Sequence, residues 1–155
     1  MKKAVSVFSF LLLSLITIAQ EKGKPAKDIN LPGIKGKAIS LASLQGKVVL
    51  IDFWASWCIP CRKAVPHLKA LYNKYKGKGF EIYGVSLDTD DGSWKNAVLE
   101  DKTSWLHVID TSGVVAGDYN VNYIPNTYLL DKTGKVVAIN PTKEELQKAL
   151  QKLLP

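Results

Sequence analysis

The chain has 155 residues, a length for which one domain is the default. Hydrophobic residues make up 46% of it, enough to bury a core, which excludes a disordered polymer. The net charge is +7, but the lysines are spread along the chain and Arg62 is the only arginine, so the charge describes a lysine-rich solvated surface and no nucleic-acid footprint.

The first twenty residues, MKKAVSVFSFLLLSLITIAQ, form a unit of their own. Lys2 and Lys3 give a charged start, Ala4 to Ala19 is uncharged and mostly apolar, and Thr17 and Ala19 put small residues before a cut at Gln20. This predicts a secretory signal peptide over residues 1–19 and export to an oxidising, periplasmic or extracytoplasmic compartment. The alternative is an uncleaved membrane anchor, for which the run is short against the roughly 20 residues of a bilayer span. No cysteine lies near the cut, which excludes a lipid-anchored N-terminus. Residues 20–27 are polar and lysine-rich and read as a tether; residues 28–155 are then the folded domain.

Ile29 to Leu41 holds two short strand candidates around Pro32–Gly33 and Gly36. Lys47 to Trp54, KVVLIDFW, is β-branched and almost wholly apolar, as a central strand covered on both faces should be; Asp52 is its one interior charge. From Ile59 to Lys76 the apolar residues Val65, Leu68, Leu71, Tyr72 and Tyr75 recur at helical steps. Pro60 suits the first turn of that helix, and Pro66 should kink it. Phe80 to Leu87 is a second strand. Ser93 to Leu99 is a short helix after a polar loop, in which Asp88 and Asp90 read as a solvated helix start and not as a metal loop. Trp105 to Ile109 is a strand, Val114 to Tyr119 a short helix, and Thr127–Leu130 and Val136–Ile139 form a hairpin around Asp131–Lys135. Thr142 and Glu145 make a capping box for a final helix with the apolar face Leu146, Ala149, Leu150, Leu153. The order predicts one α/β domain with a mixed sheet.

The only two cysteines, Cys58 and Cys61, lie in IDFWASWCIPCRKAVPHL, at the junction of a buried strand and a helix start. There the Cys58 sulfur meets unpaired backbone N–H groups and the positive end of the helix dipole, which lower its pKa below the free value of about 8.5. Arg62 and Lys63 add positive potential. Cys61 lies almost one turn further on and can reach back to Cys58. The pattern fits a thiol–disulfide exchanger with Cys58 as the attacking thiol and Cys61 as the resolving one. A purely structural disulfide across so small a loop would constrain little of the unfolded chain. Zinc needs three or four ligands, and the remaining candidates, His67 and His107, are distant and read as surface histidines. Covalent haem attachment needs histidine after the second cysteine, where Arg62 stands. No metal or organic cofactor is expected; the redox-active group is the cysteine pair itself.

The segment Asp52–Phe53–Trp54–Ala55–Ser56–Trp57–Cys58–Ile59–Pro60–Cys61, with Pro66 following, resembles the active-site segment of thioredoxins. Tyr123–Ile124–Pro125–Asn126–Thr127 is similar to the cis-proline loop of that family. With the leader, the front segment and the extra helix near Ser93–Leu99, residues 28–154 resemble the secreted TlpA/ResA-like thioredoxins of bacterial envelopes. The resemblance implies a thioredoxin fold: a mixed central sheet flanked by helices, an N-terminal β-hairpin and a helical insert. It also implies a cis Pro125, with Ile124 offering its backbone beside Cys58. Substrate would dock on Trp57, Ile59, Pro60, Ile124 and Pro125, while Trp54, Trp94 and Trp105 serve packing. Asp52 stands where ordinary thioredoxins carry a buried acid; burial should raise its pKa and fit it to take the proton of Cys61. The chain departs from the envelope branch at Ala64, where that branch usually carries a glutamate linked to substrate handling and thiol protonation.

A peroxiredoxin shares this fold and front segment, but its pattern needs Thr or Ser three residues before the cysteine and Pro seven before; Ala55 and Ile51 stand there. A binding or chaperone module without redox work would not need the intact pair, the Pro60 spacer and Pro125. The Ile59–Pro60 spacer lacks the histidine often found in strong oxidants of the superfamily, which favours a reductant over an oxidising or isomerising protein. The expected partners are disulfides of envelope proteins such as apocytochromes c, with a membrane thiol-reducing transporter as electron donor, the protein acting as a monomer.

Overall fold

A computed structural model describes residues 21–155; the signal peptide predicted over 1–19, and Gln20 after it, lie outside the described residues. The central element is β3 (Val48–Trp54), buried along its whole length. It pairs in parallel with β4 (Phe80–Ser86) and antiparallel with β6 (Asn126–Leu130). β5 (Leu106–Ile109) extends the sheet beyond β4, and β7 (Val136–Ile139) beyond β6, in the order β5-β4-β3-β6-β7. A separate antiparallel hairpin, β1 (Asn30–Pro32) with β2 (Ala38–Ser40), lies at the front. This is the mixed sheet with an N-terminal hairpin that the sequence predicts.

Successive strand residues face opposite layers, so β3 feeds two cores. Val49, Ile51 and Phe53 pack with Ile29, Tyr83, Tyr119 and Tyr128 on one side. Val48 and Leu50 pack on the other against Leu68, Leu71, Tyr72 and Tyr75 of α1 (Ile59–Tyr75) and Leu146 and Leu150 of α4 (Lys143–Leu153). Asp52 and Trp54 belong by alternation to this second face, so the carboxyl is carried under α1. Each of these large side chains stabilises the fold by about 1.5–3 kcal/mol on burial.

Helix α1 runs over 17 residues with Pro66 inside it. The insert is α2 (Asp91–Asp101), capped by the Asp90 carboxylate accepting from Ser93 N, and α3 (Val114–Asp118) is a single short stretch. The predicted capping box of α4 is present, with Thr142 and Glu145 bonding reciprocally. The stretch read as a tether is docked: Gly23 N and Ala26 N donate to Val136 O and Gly134 O, and Val136 N donates to Lys24 O. Among the described residues no helix is long and apolar enough to cross a membrane.

Candidate active site

The cysteines stand where β3 hands over to α1. Cys58 is the N-cap residue of α1: its backbone is extended, and its sulfur accepts a hydrogen bond from Cys61 N at 3.3 Å. Pro60 lies in the first turn, where its missing N–H leaves no bond unmade. Cys58 and Cys61 are joined as a disulfide with their Cα atoms 5.3 Å apart. Both are almost wholly buried, whereas the residues around them are not: Trp57 is 66% and Ile59 69% exposed, and Pro60, Tyr123 and Pro125 are exposed as well. The Ile124–Pro125 peptide is cis, and Ile124 packs against the cluster that holds Cys58 and Cys61. The structure thus leaves Trp57, Ile59 and Pro60 exposed around the pair and packs Ile124 against it, while Pro125 lines the neighbouring groove beside Asp52.

Two elements brace the cysteine loop from behind. Trp94 and Ala97 of α2 pack with Trp54, Ala55, Cys58 and Cys61 in one apolar cluster, with Trp94 fully buried. Arg62 ties α2 to α1: Nε lies 2.5 Å from Asp101, Nη2 reaches Glu100 at 3.0 Å, and Nη1 donates to Ser56 O at 3.2 Å. Lys69 adds a bond to the last turn, donating to Asp101 O. The positive charge that the sequence assigns to the Cys58 environment is therefore spent on two carboxylates; Lys63 is exposed.

Asp88 overturns its sequence reading. It is 2% exposed, not a solvated helix start. Its carboxylate accepts from Ser56 N at 2.9 Å, Ser56 Oγ at 2.6 Å and Ser86 Oγ at 2.6 Å. Asp90, two residues on, does cap α2. The physical reason is tertiary: a buried carboxylate is tolerated once several donors converge on it, two of them from Ser56 in the loop after β3 and one from Ser86 at the end of β4. The Asp88 signal that sequence could have offered is its flank by Ser86 on a buried strand end.

Asp52 is 9% exposed, and burial raises its pKa from 3.8 to about 7. It lines a small cavity with Cys61 on one side and a larger groove, about 260 Å³, on the other. The groove is bordered by Ala64, His67, Tyr123, Pro125 and Lys143. Ala64, the position where the envelope branch usually carries glutamate, therefore opens onto the same space as Asp52. His67 is half-buried with Nε2 unpartnered. His107 also departs from its reading as a surface histidine: it is 5% exposed on β5, its ring 5.7 Å from both Trp54 and Trp105, and burial lowers its pKa to about 4. Alternation along Trp105, His107 and Ile109 is the signal that would have put it on the buried face.

Among the described residues no group of three or more His, Cys, Asp and Glu lies together as a metal site. The arrangement holds two sulfurs that can join, apolar rim residues for an extended partner, and a titratable carboxyl behind the inner sulfur.

Comparison with known proteins agrees with this geometry. Residues 22–139 match the AhpC/TSA family. The thiol-disulfide oxidoreductase ResA of Bacillus cereus is 39% identical over 136 residues, which cover 86% of this chain and 79% of that protein. ResA of Bacillus subtilis is 33% identical over 118 residues, 76% of this chain and 66% of that one. The thioredoxin domain of a thiol-disulfide oxidoreductase from Bacteroides vulgatus superposes with a TM-score of 0.83 at 37% identity, covering 88% of this chain and all of that one. A structure from Chlorobium tepidum described as a thiol:disulfide interchange protein DsbE gives 0.82 at 34% identity, with coverage of 88% and 100%. On its cysteine pair, its thioredoxin fold and these relatives, the chain belongs to the AhpC/TSA family, and its chemistry is thiol–disulfide exchange.

Proposed function

We propose that the protein runs this exchange in the reducing direction, on disulfides of extracytoplasmic proteins such as apocytochromes c. The observation that carries the reading is the asymmetry of the pair. Cys58 caps α1 beside the exposed Trp57 and Ile59, whereas Cys61 shares a buried cavity with Asp52. The reduced Cys58 thiolate, favoured by the helix N-terminus, attacks one sulfur of the substrate disulfide. A mixed disulfide forms and the first substrate sulfur leaves as a thiolate. Cys61 then gives its proton to Asp52 and attacks the Cys58 sulfur. The Cys58–Cys61 disulfide closes, the second substrate sulfur leaves, and two electrons have passed to the substrate. A carboxyl titrating near 7 is ionised often enough to accept that proton at neutral pH and gives it up readily afterwards.

Trp57, Ile59, Pro60, Ile124 and Pro125 form the docking rim for an extended segment of the partner. The spacer Ile59–Pro60 offers the reduced Cys58 thiolate no histidine, which supports a reductant over an oxidant. The leader over 1–19 directs the chain to the envelope, in which a reductant needs electrons from the cytoplasm; a membrane thiol transporter supplies them, and the protein works as a monomer. Cys61→Ser tests the order of attack. Incubated with a disulfide-bonded peptide, it accumulates a mixed disulfide through Cys58, and Cys58→Ser forms none. A Cys58→Ser protein that still reduces the peptide at the wild-type rate contradicts the reading.

A further inference from the structure

One row of residues crosses three strands beneath α1. Asp52 on β3 is in register with Gly84 on β4, and Gly84 with His107 on β5. Partners in register face the same side of a sheet, so the carboxyl and the imidazole flank a position that has no side chain. A Cβ on Gly84 would come within 3.1 Å of His107 Nδ1 and 3.3 Å of Trp54 Nε1. Both nitrogens are buried and neither has a hydrogen-bond partner. Glycine in a strand interior marks a close approach, and here two polar atoms lean over it.

The space beside them is a cavity of about 10 Å³ lined by Asp52, Cys61, Trp54, His107, Thr103 and Asp101. That is about the least room in which one water fits, and such a water needs two to four polar partners. The other groups facing the cavity are already committed. The Asp101 carboxylate holds Arg62, Thr103 Oγ1 lies 2.8 Å from His107 Nε2, and Cys61 is in the disulfide. Asp52 also faces His67, Tyr123 and Lys143 across the larger groove.

We propose that this cavity is a one-water site linking Asp52 to His107, and that His107 with Trp54 positions the water that carries the proton of Asp52 behind Cys61. This rests on the reading of Asp52 as the proton acceptor. Trp54 Nε1–H donates to the water. With Nε2–H donating to Thr103 Oγ1, His107 Nδ1 is free to accept one water hydrogen, and the other goes to the ionised Asp52. When Asp52 is protonated, its O–H donates to the water, which still donates to His107. Both protonation states keep Asp52, Trp54 and His107 bonded with the same heavy atoms in place, the protonated one leaving a single water hydrogen without an acceptor. Burial keeps His107 neutral at neutral pH, so it acts as an acceptor and adds no second charge. His107 is a positioning residue here and touches neither sulfur chemistry nor substrate.

The water stabilises the carboxylate, so losing it should raise the Asp52 midpoint. The test follows the Asp52 carboxyl carbon by NMR against pH in the oxidised full domain. Gly84→Ala fills the gap from the opposite side to His107→Phe, which removes the acceptor. Each is expected to raise the midpoint by about half a pH unit or more, and His107→Gln, which keeps a hydrogen-bonding group, to shift it less than His107→Phe. A midpoint unmoved in either folded variant, with wild type still near 7, overturns the water site and leaves the role of Asp52 standing. A wild-type midpoint near 4, or an Asp52→Asn protein with an unchanged pH–rate profile, overturns the role of Asp52 itself.

Discussion

Replacing Asp52 with asparagine should make the protein more stable at pH 8, by an advantage that shrinks to a small remainder by pH 4. The unfolded chain titrates this carboxyl near 3.8, and the folded one near 7. Between those values the folded state binds more protons than the unfolded state, so wild-type stability is full below about pH 4 and falls as pH rises towards 7. At 1.36 kcal/mol per pH unit, the interval corresponds to about 4 kcal/mol lost by pH 8. Asparagine keeps the shape and cannot ionise, so its offset from packing and hydrogen bonding is the same at every pH. His107 contributes in the opposite sense: its lowered pKa gives stability that grows as pH rises from about 4 to 6.5. His107 shares the small cavity with Asp52, so its contribution is removed by measuring the same pair in a His107→Phe background. Urea unfolding of the oxidised forms at pH 4, 5, 6, 7 and 8 measures the difference directly. A growth of about 4 kcal/mol between the extremes is expected. A difference that stays flat across the range refutes the claim that Asp52 pays a burial cost when charged.

The braces behind the cysteine loop give three further tests. Asp88→Ala leaves the donors of Ser56 and Ser86 unmatched and should cost about 3 kcal/mol by denaturant unfolding; a cost below about 1 kcal/mol would mean the loop holds itself. Trp94→Ala empties the centre of the cluster under the disulfide and should cost about 3–5 kcal/mol; a smaller loss would mean that α2 is only loosely laid on the site. Arg62→Ala breaks the link from α1 to Glu100 and Asp101 and should cost about 1–2 kcal/mol, less at high salt for the exposed Glu100 arm; unchanged amide exchange in α2 would contradict the link.

The strand Val48–Trp54 and the helix after it were legible because their signals are local: an unbroken apolar run, then apolar residues at helical steps. The cysteine pair and the Ile124–Pro125 loop were legible as motifs, and Asp52 as a charge in a run that should have none. Asp88 and His107 were not. Asp88 opens the polar run Asp88–Ser93 after an apolar strand, and what makes it a buried acceptor is Ser56, 32 residues away. His107 becomes significant only when the register puts it beside Gly84 and Asp52, and strand register across a parallel sheet is a tertiary fact. Arg62 was read as a local charge near Cys58, whereas its partners come from an insert nearly forty residues further on.

The direction of electron flow is the central claim, and the reduction potential of the Cys58–Cys61 pair tests it most directly. Equilibration of residues 20–155 with glutathione buffers, read by thiol alkylation, should give a value of roughly −270 mV or lower, that of a reductant recharged from the membrane. A value near about −120 mV would make the protein a donor of disulfides and would contradict the proposed direction.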